Sequence, residues 1–341
     1  MRPLEIKYAI DATLAIALLA SCSSGPSTPV PPLASQQNQA RKIKHQTACP
    51  CLYVANDGGN SVSVWPVGTT GNVAPTQNIS GTNTDLDEPV GVAVDANDNI
   101  YVANIGSNSI SVYASDATGN AVPTAVISGP NTGLDDPSGV AIDSVNQDIY
   151  VENYEGGPSG GGTVTFYAPG SNGNVSPLGT IAGSNTGLDA SYGLALDPSG
   201  NIYVPNVNSV ITVYAAGSNG NVAPTQTIGG GDTELNSPYQ AALDSHLDIY
   251  AANRDGESVT AYPPGANGDV SPSKGYITGK KTKFDSPQGV ALDANDHIYV
   301  SNGSNGSITV YAAGSTGNVK PSGTLKGKKT KLDNPNGIAI H

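Results

Sequence analysis

A unit of about fifty residues recurs six times along this 341-residue chain, and that repetition limits its fold more than any other feature. The clearest copy runs from Ile100 to Gly139, IYVANIGSNSISVYASDATGNAVPTAVISGPNTGLDDPSG. Each unit holds four short runs rich in β-branched and aromatic residues, broken by Gly, Asn, Asp and Pro, which reads as strands rather than helices. The first run is of the GVAVD type, at 91–95, 139–143, 193–197, 240–244, 289–293 and 337–341. The second, IYVAN, starts at Leu52, Ile100, Ile149, Ile202, Ile249 and Ile298. The third, SISVY, ends on Trp65, Tyr113, Tyr167, Tyr214, Tyr262 and Tyr311. The fourth follows a proline, from Pro75 in the first unit to Pro321 in the last. Gly-Asn pairs such as Gly71-Asn72 and Gly119-Asn120 supply positive-φ turns between the third and fourth runs.

Successive IYVAN starts lie 48, 49, 53, 47 and 49 residues apart. Four strands in such a period predict a β-propeller blade. The expected fold is all-β: a six-bladed β-propeller of four-stranded blades. The repeats open on a second-type run and close on a first-type run, so the C-terminal strand should complete the blade begun by the N-terminal three. That overlap removes the long free edges that open sheets expose.

Outside the repeats the chain divides at 1–21, 22–50 and 51–341. Arg2 and Lys7 precede a short apolar run, Ala12–Ala20, as in an export signal. Leu19-Ala20-Ser21-Cys22 resembles the bacterial lipoprotein box, which implies a lipidated Cys22; a non-lipidated secretory signal is the other reading. Several acyl chains at about 0.8 kcal/mol per buried methylene would anchor the chain firmly to a membrane. Residues 22–50 are rich in Ser, Pro and Gln and read as a semi-extended tether. Localisation in the cell envelope, at the outer-membrane or cell-surface side, follows, with simple secretion as the alternative. Cys49 and Cys51 are candidates for a disulfide, with a metal or redox role also open. No run of 18 apolar residues is present.

Charge is unevenly shared. Net charge is −13, yet no Lys or Arg lies between Leu52 and Tyr250, against 19 Asp and Glu. From Ala251 onward there are ten Lys plus Arg and seven Asp plus Glu. The bland reading is drift between blades; the other is a basic arc for an anionic partner such as a phosphate-bearing lipid or acidic polysaccharide. Nucleic acid is not expected as a partner of so acidic a chain.

Internal repetition separates scaffold from candidate site. A residue present in every unit builds the blade, as do Asn56, Asn104, Asn153, Asn206, Asn253 and Asn302, and the aspartates ending the first runs. Pattern breaks are better candidates. Of the 16 tyrosines, four that lie outside the signal fall off the strand pattern: Tyr154, Tyr192, Tyr239 and Tyr276. The position before the first-run glycine reads Val90, Ser138, Tyr192, Tyr239, Gln288 and Asn336, and should ring the channel mouth. Glu152 replaces Ala in the YVAN run, Gln240 replaces a glycine, and Arg254 follows Asn253. The candidate ligand-binding set is therefore Glu152, Tyr154, Tyr192, Tyr239, Gln240, Arg254, Gln288 and Asn336, a small polar or sugar-binding pocket. Unpatterned surface variation competes evenly with it.

No residue is assigned a catalytic role. The four histidines, His45, His246, His297 and His341, all fall away from that mouth, and HExxH and CxxC are absent. Glu152 with Asn206 and Asp197 could offer oxygens to calcium, a minor reading; otherwise no cofactor is expected.

The whole pattern, from Leu52 to His341, resembles NHL-repeat proteins and related bacterial propellers, among them the gluconolactonase-like group and virginiamycin B lyase; it also echoes the YVTN surface-layer repeat. The resemblance implies the fold strongly and activity weakly, because these families share blades and differ in chemistry. Metal-dependent lactonases of this kind use a Glu and several Asn or Asp in the channel, and Glu152 is the one tempting match. The lyase's catalytic histidine has no counterpart. The expected protein is a non-catalytic, lipid-anchored, monomeric propeller binding a small ligand, glycan or envelope protein, with a metal-dependent lactonase, hydrolase or lyase as the alternative.

Overall fold

The computed structural model describes residues 50–157 and 161–341. Cys22, Cys49 and the proposed signal and tether lie outside the described residues. Those described form six four-stranded antiparallel sheets arranged as a ring. The first-type runs become β4 (Pro89–Val94), β8 (Pro137–Ile142), β12 (Ala195–Leu196), β16 (Pro238–Leu243), β20 (Pro287–Leu292) and β24 (Pro335–Ile340), the innermost strands. The IYVAN runs become β1 (Cys51–Asn56), β5 (Ile100–Asn104), β9 (Ile149–Asn153), β13 (Ile202–Asn206), β17 (Ile249–Asn253) and β21 (Ile298–Asn302). Third and fourth strands follow outward in each blade, as in β2 (Ser61–Pro66) and β3 (Gln77–Ser80).

The ring closes as the sequence predicts. β24 pairs antiparallel with β1, placing Leu52 opposite Ile340, Tyr53 opposite Ala339 and Val54 opposite Ile338. Because each sheet is apolar on both faces, the core lies between blades. Val62, Val64 and Ile79 of one blade pack with Val92, Val102 and Tyr113 of the next, for example. Burial of this kind contributes about 25 cal/mol per Å² of apolar surface, and no single blade could achieve it alone.

Polar latches fix the spacing. Each strand-ending Asn is fully buried; Asn104 Nδ2, for instance, donates to Ser111 Oγ at 3.0 Å, while its Oδ1 accepts the Asp87 amide at 3.3 Å. The Asp that ends a first-type strand holds its turn, as Asp197 does by accepting the amides of Ser199 and Asn201. Tyrosines ending the third strands donate to a threonine carbonyl of the preceding connector, as Tyr214 does to Thr186 at 2.6 Å. The Gly-Asn pairs do more than turn the chain: Asn221 Oδ1 accepts the Asn185 amide of the neighbouring blade at 2.7 Å, and the same bond recurs around the ring.

The axis is closed rather than open. A Cβ on Gly91 would lie 2.8 Å from the Ser138 carbonyl oxygen, one on Gly139 2.7 Å from Gly193 Cα, and one on Gly337 2.5 Å from the Val90 oxygen. Glycine there lets inner strands approach until little space remains. The sixth position is Gln240, whose side chain crosses to the β24 strand: Nε2 donates to the Ile338 carbonyl at 3.0 Å and Oε1 accepts the Ile338 amide at 3.2 Å. Below this plug a cavity of about 210 Å³ opens toward the face carrying the first-to-second turns, called lower here. The opposite, upper face carries the second-to-third loops and the connectors into the innermost strands.

One blade departs from the rest. β12 is two residues long where its siblings have six. In the β4 blade the Ile105 amide points inward to the Glu88 carbonyl, so by strand alternation the amide two residues earlier also faces β4. The equivalent residue in β13 is Pro205, which has no N–H to give. Residues 191–194 are thereby released from the ladder.

Candidate functional site

Four of the residues singled out from sequence meet on the upper face. Tyr192, just before the shortened β12, stacks on Tyr239 with ring centroids 4.1 Å apart and planes within 6°. Tyr154, on the loop after β9, leans on the other side of Tyr192 at 4.8 Å and 45°. Arg254, on the loop after β17, donates from Nη1 to the Tyr239 hydroxyl at 2.7 Å and from Nε to Ser286 Oγ at 3.2 Å. The guanidinium carbon is 5.0 Å from the Tyr239 ring centroid; with the hydroxyl bond so short, the contact is chiefly that hydrogen bond. Tyr154 and Tyr192 are half-buried, Tyr239 is buried and Arg254 is exposed. Burial pushes the Tyr192 and Tyr239 hydroxyls above their ordinary range, the neighbouring tyrosines adding to the effect at Tyr192 while Arg254 opposes it at Tyr239. The Tyr192 and Tyr239 phenols are thus neutral hydrogen-bonding groups at physiological pH.

Glu152 lies beneath this ladder, fully buried. Its Oε2 is in a short hydrogen bond with Ser138 Oγ, and the same hydroxyl is 2.9 Å from the Ser191 carbonyl. One hydroxyl proton cannot serve both acceptors. A proton on Glu152 resolves this, with the acid donating to Ser138 Oγ and Ser138 donating to Ser191. Burial drives the carboxyl the same way, from 4.5 up to about 8, against the opposing pull of the polar groups of Ser138 and Ser191 nearby. Glu152 Oε1 and Ser191 Oγ are both buried without a hydrogen-bond partner.

The other candidates have different placements. Gln240 is the axial plug, below the ladder. Gln288 and Asn336 are each 7% exposed, and the whole position before the first-run glycine is buried except at Tyr192. It forms no open mouth, because the glycine ring draws the inner strands together. Beside Tyr192 and Gln240 the enclosed space amounts to about 10 Å³, so the ladder presents a surface rather than a deep pocket. Tyr276 lies apart, donating to Glu234 Oε2 at 3.2 Å.

The calcium set proposed from sequence does not converge. Asn206 ends β13 at the upper face, its Nδ2 tied to Val204 and Thr212 and its Oδ1 to the Asp189 amide. Asp197 holds the lower turn opposite Asn201, five strand residues and roughly 17 Å away. Glu152, Asn206 and Asp197 therefore cannot share an ion, and among the described residues no group of three or more His, Cys, Asp or Glu stands close enough to hold one. Cys51 opens β1 and pairs through its backbone with His341.

Sequence reasoning missed Ser191 and Pro205. Both break the repeat, Ser191 where five units have Pro and Pro205 where three have Ala, so the filter that selected Glu152 would have found them.

With this geometry in view, comparison with known proteins gives the fold and little more. A model of the NHL repeat matches residues 284–311, within the β20 blade. No curated protein matches the chain. Among solved structures, a chain of a nidogen/laminin complex is similar at 16% identity and a TM-score of 0.61, covering 85% of this chain and 98% of its own. A protein of unknown function from Bacteroides caccae covers 86% of this chain and 99% of its own at 13% identity and a TM-score of 0.60. A functionally unknown protein from Desulfotomaculum acetoxidans covers 85% and 98% at 13% identity and a TM-score of 0.55. The chain is thus a six-bladed β-propeller that contains an NHL repeat.

Proposed function

We propose that this chain is a non-catalytic binding propeller, held at the cell envelope by a lipid on Cys22, that takes a small ligand, glycan or protein partner on its upper face. The observation that carries the reading is the ladder of Tyr154, Tyr192, Tyr239 and Arg254, contributed by three consecutive blades at positions where the repeat breaks. Nothing in the scaffold calls for it, since the regular blades close without such a stack. Neutral phenols beside a fixed guanidinium suit recognition of hydroxyl- or carboxylate-bearing groups. Lipidation would place this face at the envelope, where glycans and protein partners are abundant.

The test is retention of the chain on an array of envelope glycans and peptidoglycan fragments. Tyr192→Ala should reduce retention at least about tenfold, as loss of a central interface aromatic does, while the melting temperature stays close to that of the parent. Equal retention by both proteins would remove the ladder from consideration. For the anchor, the parent should partition with membranes and Cys22→Ala should not.

A further inference from the structure

Lysine, absent from most of the ring, arrives in two copies of one motif. Gly-Lys-Lys-Thr-Lys stands at 279–283 and again at 327–331. The two are equivalent connectors of neighbouring blades: the Lys281 amide donates to Asn318 Oδ1 and the Lys329 amide to Asn72 Oδ1, both at 2.8 Å. Thr282 and Thr330 are buried and bond the Gly279 and Gly327 carbonyls, which leaves the lysines around them exposed. Among the described residues the one lysine in an ion pair is Lys274, with Asp248 at 3.3 Å. The six motif lysines are therefore not neutralised.

The first motif runs into the tyrosine ladder. Ser286, at the end of its connector, accepts the Arg254 Nε bond, and Arg254 in turn holds the Tyr239 hydroxyl. Phenols, guanidinium and ammonium groups thus follow one another over a single face. Ammoniums spread across two blades do not converge on one small anion, and lysine acts as a hydrated point charge rather than a fork for a fixed phosphate. Their layout fits a polymer with regularly placed charges, and the adjoining phenols fit one rich in hydroxyls.

We propose that the ligand of the upper face is an acidic polysaccharide, with carboxylates along the two lysine loops and hydroxyls against Tyr154, Tyr192 and Arg254. This rests on reading the ladder as a binding surface. Overall charge argues the other way: Pro50–His341 holds 10 Lys plus Arg against 26 Asp plus Glu, which repels polyanions at long range. Binding would therefore report the local arrangement.

The experiment uses the full chain carrying Cys22→Ala, with polygalacturonate, neutral dextran and phosphatidylglycerol vesicles as probes in affinity electrophoresis and flotation. Polygalacturonate should bind at low ionic strength and dextran should not. Changing Lys280, Lys281, Lys328 and Lys329 together to Gln should weaken binding about tenfold or more at an unchanged melting temperature, as should raising the salt past the screening limit. Absent binding, or equal binding by the four-lysine variant, overturns the proposal. Lysine-dependent binding to the vesicles but not to polygalacturonate overturns it in favour of a membrane surface. Lysine-dependent polygalacturonate binding that ignores Tyr192→Ala keeps the lysine loops as the site and sinks the ladder reading; retention on glycans that needs Tyr192 but ignores the lysines does the reverse.

Discussion

Two blade interfaces place different residues at one register position, and the contrast explains where the ring departs from its own rule. In the β20 blade the position is Ser301, whose Oγ accepts the Gly289 amide at 2.7 Å and donates to the Asn336 carbonyl of the next blade at 2.5 Å. Every polar atom of that hydroxyl is used, and β24 keeps its six residues. In the β8 blade the position is Glu152, which is too long for that bridge and shares Ser138 with the Ser191 carbonyl instead. There the facing strand, β12, keeps two residues. A repeat tolerates a larger polar group at its tightest contact only where the neighbouring ladder gives way, and here it gives way beside Pro205.

The largest expected effect comes from removing the titration of Glu152. Between pH 4.5 and about 8 the folded chain keeps a proton that the unfolded chain has already lost, so stability falls as pH rises across that window. A displacement of this size corresponds to on the order of 5 kcal/mol, fully lost only above the folded value. Glu152→Gln should flatten the slope and make the variant more stable than the parent at pH 8, by urea unfolding at a series of pH values. Parallel curves for the two proteins would mean that Glu152 ionises freely.

A smaller effect sharpens the comparison from the opposite strand. Pro205→Ala restores the missing N–H and should stabilise by about 1 kcal/mol, one net hydrogen bond, with slower amide exchange at residues 191–194. If exchange there is unchanged, Glu152 alone holds β12 apart. The smallest effect is expected at a latch common to regular and irregular blades. Tyr214→Phe removes the bond to the Thr186 carbonyl and should lower stability by about 1 kcal/mol or slightly less, with no change in the pH slope. A changed slope would tie that latch to Glu152 and blur the distinction between the two interfaces.

The ring was legible because its determinants are local and repeated: each IYVAN and SISVY run states its own strand, and six statements agree. Closure by β24 and β1 followed from the order of strand types alone. The Gly-Asn pairs were legible as turns but not as bonds between blades, because the partner amide lies some 37 residues away, as between Asn83 and Asn120. Tyr154, Tyr192, Tyr239 and Arg254 were legible as a group, since each breaks a pattern near one face. What they form was not. Whether a break points outward, as Arg254 does, or inward, as Glu152 and Gln240 do, depends on how closely neighbouring strands approach, and that distance is set by glycines elsewhere in the chain.

The pairing of β24 with β1 has a mechanical consequence. The polypeptide enters the ring at Cys51, on a strand flanked by β2 on one side and β24 on the other. A pull on the residues before it would load two rows of backbone hydrogen bonds in shear, all at once. Entry by an edge strand would instead let them unzip one after another under far weaker force.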